Sequence, residues 1–516
     1  MAITRRGFLG GIAVTFASAF ARRLSAEAAA NEPLLRFGAL SDTHLRVTDD
    51  PEQLGRVFRW LHGRNADAVV ISGDITEQGL NTEVDFLVRI WNDAFPGGKA
   101  ADGRTVEKFW VWGNHDYSDA SYMRRMPPEK LAEQIKVSVF GDKDAAWRRI
   151  GEGAFPGETF TKTIKGFSFV GTHWKHEDET VAWLKAHPEV DTSKFFVYVQ
   201  HPQPSATVFA QGRPKPGKKY KGLREDMRAY SNCFMVAGHS HKSVSDDLAL
   251  WQGDFTVFGA GSTKSVSMRP GYENSPGAPA PGKYVPHTRA CSGGGASQGS
   301  LVSVYRDKVI VERMEFSRGQ ALGDAWELSL PLERHPDNPF VIAEQAPAPE
   351  FPEGAKVGVA FRPQSKDRLG RTEAQYKVWV PYAQKTGRYG RVVEYVFEAL
   401  DAESGDVLVK RKTLQDFYLC SEKQAMTEGG RCKFAVADLP AGKSVKFRVT
   451  PRNAAGKGGR SLVSDSGFRP AKTCDEAHDY EEIPFVFTCC RGIVRDGRER
   501  RSGGRGAVQL REVDMS

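Results

Sequence analysis

The sequence predicts an α/β core, a sheet covered by helices, followed by a smaller all-β domain. Three observations carry this. Between residues 34 and 112, short apolar runs and helical periods alternate as strand–helix–strand–helix–strand. Between 357 and 463, short alternating runs recur with no helical period. Between the two regions, Ala346-Pro347-Ala348-Pro349 with Pro352 reads as a stiff linker. At 516 residues the chain is too long for one ordinary domain, and 40% hydrophobic with 26% charged residues is a globular composition. With only 7 Cys and no glycine period, disulfide-scaffold and collagen-like classes are excluded.

Residues 34–40 have the length and apolarity of a buried strand, and Ser41-Asp42-Thr43-His44 follows at once. Asp50-Pro51 reads as an N-cap and a first helical residue. Leu54, Val57, Phe58 and Leu61 then form an apolar helix stripe, with His62 at its C-terminal end. Residues 68–71 form a second strand ending in Gly73-Asp74, and Val84, Leu87, Val88 and Trp91 mark a second helix. A third strand, 108–112, runs into Gly113-Asn114-His115-Asp116. Two later segments repeat the arrangement: 195–199 leads into Gln200-His201-Pro202, and 234–237 into Gly238-His239-Ser240-His241. Ligands of open α/β sheets bind outside the carboxyl ends of the strands. Here those ends carry carboxylates, an amide and imidazoles but no thiolate. Such donors suit Mn, Fe, Zn or Ni, and so large a set suits two ions.

These five blocks, complete and in order, resemble the signature of the calcineurin-like metallophosphoesterases: Asp42-x-His44, Gly73-Asp74, Gly113-Asn114-His115-Asp116, His201 and Gly238-His239-x-His241. The resemblance spans residues 34–335. It implies a two-sheet core flanked by helices; 255–258, 301–305 and 309–316 read as strands that complete its second sheet, with Arg306-Asp307 as a hairpin turn. It also implies two divalent or trivalent metal ions. Asp42, His44, Asp74 and His241 would hold one. Asp74, Asn114, His201 and His239 would hold the other, Asp74 bridging because a carboxylate has two oxygens. Such a pair generates hydroxide near neutral pH for in-line attack on phosphorus. His115 would stabilise the phosphoryl oxygen or protonate the leaving group. Asp116 would orient His115 or simply shape the turn. His173, after the apolar residues 167–170, is a candidate substrate contact, with surface packing as the alternative.

Thr4-Arg5-Arg6-Gly7-Phe8-Leu9 resembles a twin-arginine export signal. The apolar stretch behind it, 10–20, is shorter than the roughly 20 residues that span a bilayer. A bacterial periplasmic or secreted protein is implied. Residues 1–30 carry four arginines and one glutamate, so without them the net charge falls from +8 to +5. That mild excess permits an anionic, phosphate-ester substrate and gives no reason to expect a specific nucleic-acid partner.

Leu439-Pro440-Ala441-Gly442 and the run through Val449, continued by Asn453-Ala454-Ala455-Gly456, resemble the end of a fibronectin type III domain, which implies a β-sandwich. Val445 stands where that family places its corner tyrosine. Cys420 and Cys432 are either a disulfide or buried thiols. The expected organisation is a signal at 1–30, the phosphoesterase domain at 34–335, a linker at 336–355, the fibronectin-like domain at 356–468 and a disordered tail at 469–516.

The Asp-x-His block matches phosphodiesterase-like members, and Gly73-Asp74-Ile75-Thr76 lacks the tyrosine of plant-type purple acid phosphatases. The expected function is therefore an exported dinuclear-metal phosphoesterase, with diesters ahead of monoesters. A phosphomonoesterase, nucleotidase or nuclease of the same family is the enzymatic alternative. The alternative from another class is an envelope-binding protein with an inactive metal domain, associating with the cell envelope through the C-terminal half. Specificity is expected in loops, either the basic 211–226 or the Gly/Pro-rich 268–299, the latter as a cap over the substrate.

Overall fold

The computed structural model describes residues 32–469 apart from 118–125, 205–206, 209–221, 247–248, 269–286, 290, 294–295, 333–334, 367–371, 388–389 and 416–428. The expected export signal, the tail beyond Arg469, Cys420 and most of both candidate specificity loops lie outside the described residues.

Strand β1 (Leu35–Leu40) opens the core and is buried except at Arg36. Helix α1 (Pro51–Gly63) starts as the sequence predicts: Asp50 Oδ1 accepts the Glu52 amide at 3.0 Å and Pro51 sits in the first turn. β2 (Ala68–Ser72), α2 (Asn81–Ala94) and β3 (Glu107–Val111) complete the first repeat. Short helices α3 (Pro128–Lys136) and α4 (Lys143–Arg149) precede β4 (Thr159–Ile164), β5 (Phe167–Thr172), α5 (Thr180–Ala186) and β6 (Phe196–Val199). Then come α6 (Leu223–Asp226), β7 (Cys233–Ala237), β8 (Leu250–Gln252), β9 (Thr256–Gly259) and β10 (Val266–Met268). β11 (His287–Arg289), β12 (Cys291–Gly293), β13 (Gln298–Val304), β14 (Lys308–Glu315), β15 (Gln320–Ala321) and β16 (Trp326–Ser329) follow.

Two mixed sheets form the core, ordered β15-β14-β13-β1-β2-β3, with β16 beside β14, and β4-β5-β6-β7-β9-β8. Period-2 alternation sorts the first sheet between two apolar layers. Leu35, Phe37, Ala39 and Val70 face the second sheet, and the Phe37 ring meets Phe169 edge-on at 5.4 Å. Leu40, Val69, Ile71 and Trp110 face α1 and α2, packing on Leu54, Phe58 and Trp91.

One expectation is corrected here. Residues 301–305 and 309–316 belong to the first sheet: β13 pairs antiparallel with β1, Leu35 opposite Val304 and Ala39 opposite Ser300. β2 occupies only one edge of β1, and the β13–β14 hairpin, turned at Arg306-Asp307, covers the other. Of the three segments, only the one at β9 joins the second sheet.

Within 336–355 the chain is not simply extended. Helix α7 (Pro339–Gln345) forms after Asn338, and Phe340 and Ala343 join the apolar cluster of the core. The C-terminal half then contributes β17 (Gly358–Lys366), β18 (Thr372–Trp379), β19 (Glu394–Asp401), β20 (Val407–Leu414), β21 (Arg431–Ala435), β22 (Val445–Arg452) and β23 (Leu462–Val463). They form a β domain of two sheets, β17-β18-β21 and β11-β20-β19-β22-β23. Both sheets feed one core, where Phe447 of β22 lies 5.1 Å from Phe434 and 5.8 Å from Tyr376. Val445 is buried there, and Cys432 is buried on β21.

The stretch 268–299 is more than a loop. β10 and β12 pair with each other, while β11 adds a parallel strand to β20, His287 opposite Lys412. Asn453 Nδ2 also donates to the Ala346 and Pro347 carbonyls, at 3.1 and 3.2 Å. Among the described residues, no helix is long and apolar enough to cross a membrane.

Candidate metal centre

The blocks after β1, β2, β3, β6 and β7 meet at one rim. Asp42, His44, Asp74, His239 and His241 all hold positive φ, between 41° and 67°, a conformation that costs L-residues energy and clusters at functional sites. Backbone bonds stitch the first two loops together: His44 N donates to Asp74 O at 2.9 Å and Leu45 N to Ile75 O at 3.1 Å. Two motif glycines permit the approach. A Cβ on Gly73 would run into the His201 ring, and one on Gly113 into the backbone and carboxylate of Asp74.

The side chains converge in two groups. His44 Nε2 lies 3.0 Å from His241 Nε2, 3.6 Å from Asp42 Oδ1 and 3.5 Å from Asp74 Oδ2. His201 Nε2 lies 3.2 Å from both Asn114 Oδ1 and His239 Nδ1, and 3.1 Å from Asp74 Oδ2. One oxygen of Asp74 therefore faces both groups, while its other oxygen accepts the His115 amide at 2.8 Å. Backbone carbonyls fix two rings: His201 Nδ1 donates to Ser72 O at 2.8 Å and His241 Nδ1 to Ser265 O at 2.9 Å. Each leaves an Nε2 lone pair pointing inward.

The donor chemistry fits cations. Among the described residues, buried Asp42 Oδ1 meets only ring nitrogens, His241 Nε2 at 3.1 Å and His44 Nε2 at 3.6 Å, and a cation between them would satisfy all three. Imidazole nitrogens 3.0–3.2 Å apart share at most one proton between them, and a metal satisfies both.

The electrostatics agree. Burial raises a carboxylate's pKa, but His241 and His44 overcome it at Asp42, and His201 and His44 at Asp74, holding both carboxylates well below their usual range. Burial alone would lower His44, yet Asp42, Glu77 and Asp74 raise it to about 10. His201, likewise buried but facing Asp74, is raised to about 9. His239 is pushed down to about 4 by burial and by His201. Protons thus stand in for cations among these groups.

Glu77 is the residue that the sequence reading missed. Its Oε2 lies 2.8 Å from His44 Nδ1, its Oε1 accepts from Arg46 at 2.8 Å, and its carbonyl lies 2.9 Å from His115 Nδ1. Its only signal is its place three residues after Asp74.

Of the two roles expected of Asp116, the hydrogen bonds favour shaping the turn over orienting His115. Its buried carboxylate accepts from Ile75 N, Thr76 N, Thr76 Oγ1 and Gly113 N, at 2.7–3.1 Å, so it clamps the β2 and β3 loops instead of touching the His115 ring. His173 is 4% exposed, packed between Tyr117 and Trp174 at 4.4 and 3.8 Å, and so is buried in place of lining open space. His62 ends α1, as expected.

Residues 35–243 match the family of calcineurin-like phosphoesterases. This part of the chain is a calcineurin-like phosphoesterase domain. Its two His/Asp clusters belong to a metal-dependent hydrolase of phosphate esters. The chain is also similar to several solved structures. The GAP50 anchor of the Plasmodium inner membrane complex is 11% identical, with 58% of this chain and 90% of that one covered at a TM-score of 0.35. A predicted phosphoesterase of Streptococcus pneumoniae is 13% identical over 57% and 97%, with a TM-score of 0.23. An archaeal phosphodiesterase is 12% identical over 57% and 100%, with a TM-score of 0.21. No curated protein matches the chain. In the phosphoesterase domain, His115 sits at the edge of the clusters, its ring 4.5 Å from that of His44 and its side chain 24% exposed.

Proposed function

We propose that this chain is an exported dinuclear-metal phosphoesterase that hydrolyses phosphodiesters. The observation that carries the reading is the single oxygen of Asp74, 3.1 Å from His201 Nε2 and 3.5 Å from His44 Nε2. Asp42, His44, Asp74 and His241 hold one ion, and Asp74, Asn114, His201 and His239 the other. Bound there, two ions supply Lewis-acid polarisation of the phosphoryl group and acidify water. The chain's own residues do the rest. Glu77 O accepts the Nδ1–H hydrogen bond of His115, and the ring, entering the step as imidazolium, gives its Nε2 proton to the leaving-group oxygen and ends as neutral imidazole. Asp116 holds the Ile75-Thr76 and Gly113 loops in register, so that Asp74 and Asn114 face the same space. Ser72 O and Ser265 O keep His201 and His241 in the tautomer whose Nε2 can ligate.

The Asp-x-His block supports a diester preference, and Arg5-Arg6 with its apolar follower supports export; cell fractionation with and without Arg5-Arg6 tests the latter. For the activity, the metal-loaded chain should hydrolyse bis-p-nitrophenyl phosphate faster than p-nitrophenyl phosphate. With two ions bound in the centre, hydrolysis of neither ester would sink the proposal. His115→Ala should keep its metal yet lose roughly 10²–10⁴-fold in kcat. Unchanged turnover in that variant removes His115 from the proton path.

A further inference from the structure

Behind the rim, a second constellation has no part in the chemistry above. Glu158, just before β4, His173, at the end of β5, and His176, in the short 3₁₀ turn Trp174–Glu179, bring a carboxylate oxygen and two ring nitrogens within 4.8 Å of one another. The backbone locks the three together: His173 N donates to Glu158 O, and His176 N to His173 O, both at 2.9 Å. Among the described residues, neither ring nitrogen of His173 has a hydrogen-bond partner, although the residue is only 4% exposed. A buried imidazole with both nitrogens unsatisfied is costly in a folded protein, and a ligand explains it.

We propose that Glu158, His173 and His176 hold a third divalent cation of the zinc class, separate from the dinuclear centre. Two nitrogens and one oxygen, with water in the fourth position, are the donors of a tetrahedral zinc site; calcium and magnesium prefer oxygens alone. Tetrahedral donors at zinc distances lie about 3.3 Å apart, so the side chains close by about 1.5 Å at most from the observed limit of 4.8 Å. His173 is ready to ligate, because burial and then Lys175, His176 and Lys143 hold it uncharged, its pKa pushed down to about 3. The competitors are Lys143, which pairs with Glu158 Oε1, Tyr117 OH, which donates to Oε2 at 3.2 Å, and Glu179, whose Oε2 lies 3.3 Å from His176 Nδ1. The His173 and Trp174 rings pack at 3.8 Å, and Trp174 stands 6.4 Å from the His201 ring. A cation here would therefore brace a wall of the phosphoesterase site.

The test is zinc stoichiometry. The full chain, stripped with chelator and dialysed against Zn²⁺, should hold three ions. His176→Ala and Glu158→Gln change partly exposed positions and should each hold two. Asp74→Asn should lose the central pair and keep the third, which separates failure of the dinuclear reading from failure of this one. Lys143→Ala, by removing the competing ammonium, should tighten the third ion about tenfold, the opposite of what loss of a purely structural ion pair would do. Equal stoichiometry in the parent, His176→Ala and Glu158→Gln overturns the proposal, as does weaker or unchanged zinc binding in Lys143→Ala.

Discussion

The two donor groups of the centre share Asp74 but differ in what stands behind them. On the His44 side, Asp42 and Asp74 face inward and Glu77 backs the ring from outside, so three carboxylates surround one imidazole. On the His201 side, Asp74 is the one carboxylate among the facing groups; Asn114 brings a neutral oxygen and Ser72 a carbonyl. The pKa directions follow the carboxylates: His44 is raised to about 10 and His201, facing Asp74, to about 9, while His239, buried beside His201, is pushed down to about 4. The lesson is that one centre can present a charge-rich and a charge-poor position from the same rim. The first should favour the ion of higher charge, and the second should rely on imidazole nitrogens.

Asp74→Asn has the largest expected effect, since it removes the carboxylate both positions share. Both central ions should be lost and hydrolysis should fall to background, measured by metal content and by turnover together. Retention of either central ion would break the idea of a common ligand. Glu77→Gln sharpens the comparison. It removes charge behind His44 alone, so one central ion should bind roughly 10–100-fold more weakly while the other is unaffected. Titration with Co²⁺, followed by its visible absorption, would separate the two; equal weakening would show that Glu77 does not discriminate between them.

The smallest effect is on stability. His44 and His201 have pKa values raised to about 10 and about 9, above the 6.5 of a free imidazole. Their stabilising contribution is therefore complete below pH 6.5 and is lost as pH climbs through 9 to 10. Metal-free protein should show a Tm that falls between pH 7 and pH 10, and the metal-loaded protein should lose less. Identical pH slopes with and without chelator would refute the view that protons replace cations in this centre.

The ligand-type residues were legible because metal chemistry uses a small vocabulary and strand ends deliver it in sequence order. Asp42-x-His44 and His239-x-His241 are local signals that need no tertiary knowledge. Glu77 was not legible, because what brings it to His44 is the pairing of Leu45 with Thr76 from a separate strand end. Asp116 looked like a neighbour of His115, yet its partners Ile75 and Thr76 lie some forty positions earlier. In the fold, the helices of the first repeat showed plainly through Asp50-Pro51 and the apolar stripe. Helix α7 was hidden because proline-rich flanks suggest extension, and only packing of Phe340 reveals the turn. The place of β13 depends on which edge of β1 lacks a partner, a property of the sheet and not of residues 298–304.

The short strand β11 bears on how the molecule is made. It leaves the phosphoesterase half between β10 and β12, yet its partner, β20, is translated more than a hundred positions later. A ribosome that has released the first half has therefore not released everything that half needs to settle. The pairing of His287 with Lys412 must wait, and closing so long a separation carries an entropic cost and slows folding. The order of synthesis thus sets a checkpoint: β11 reaches its final partner only after the β domain emerges.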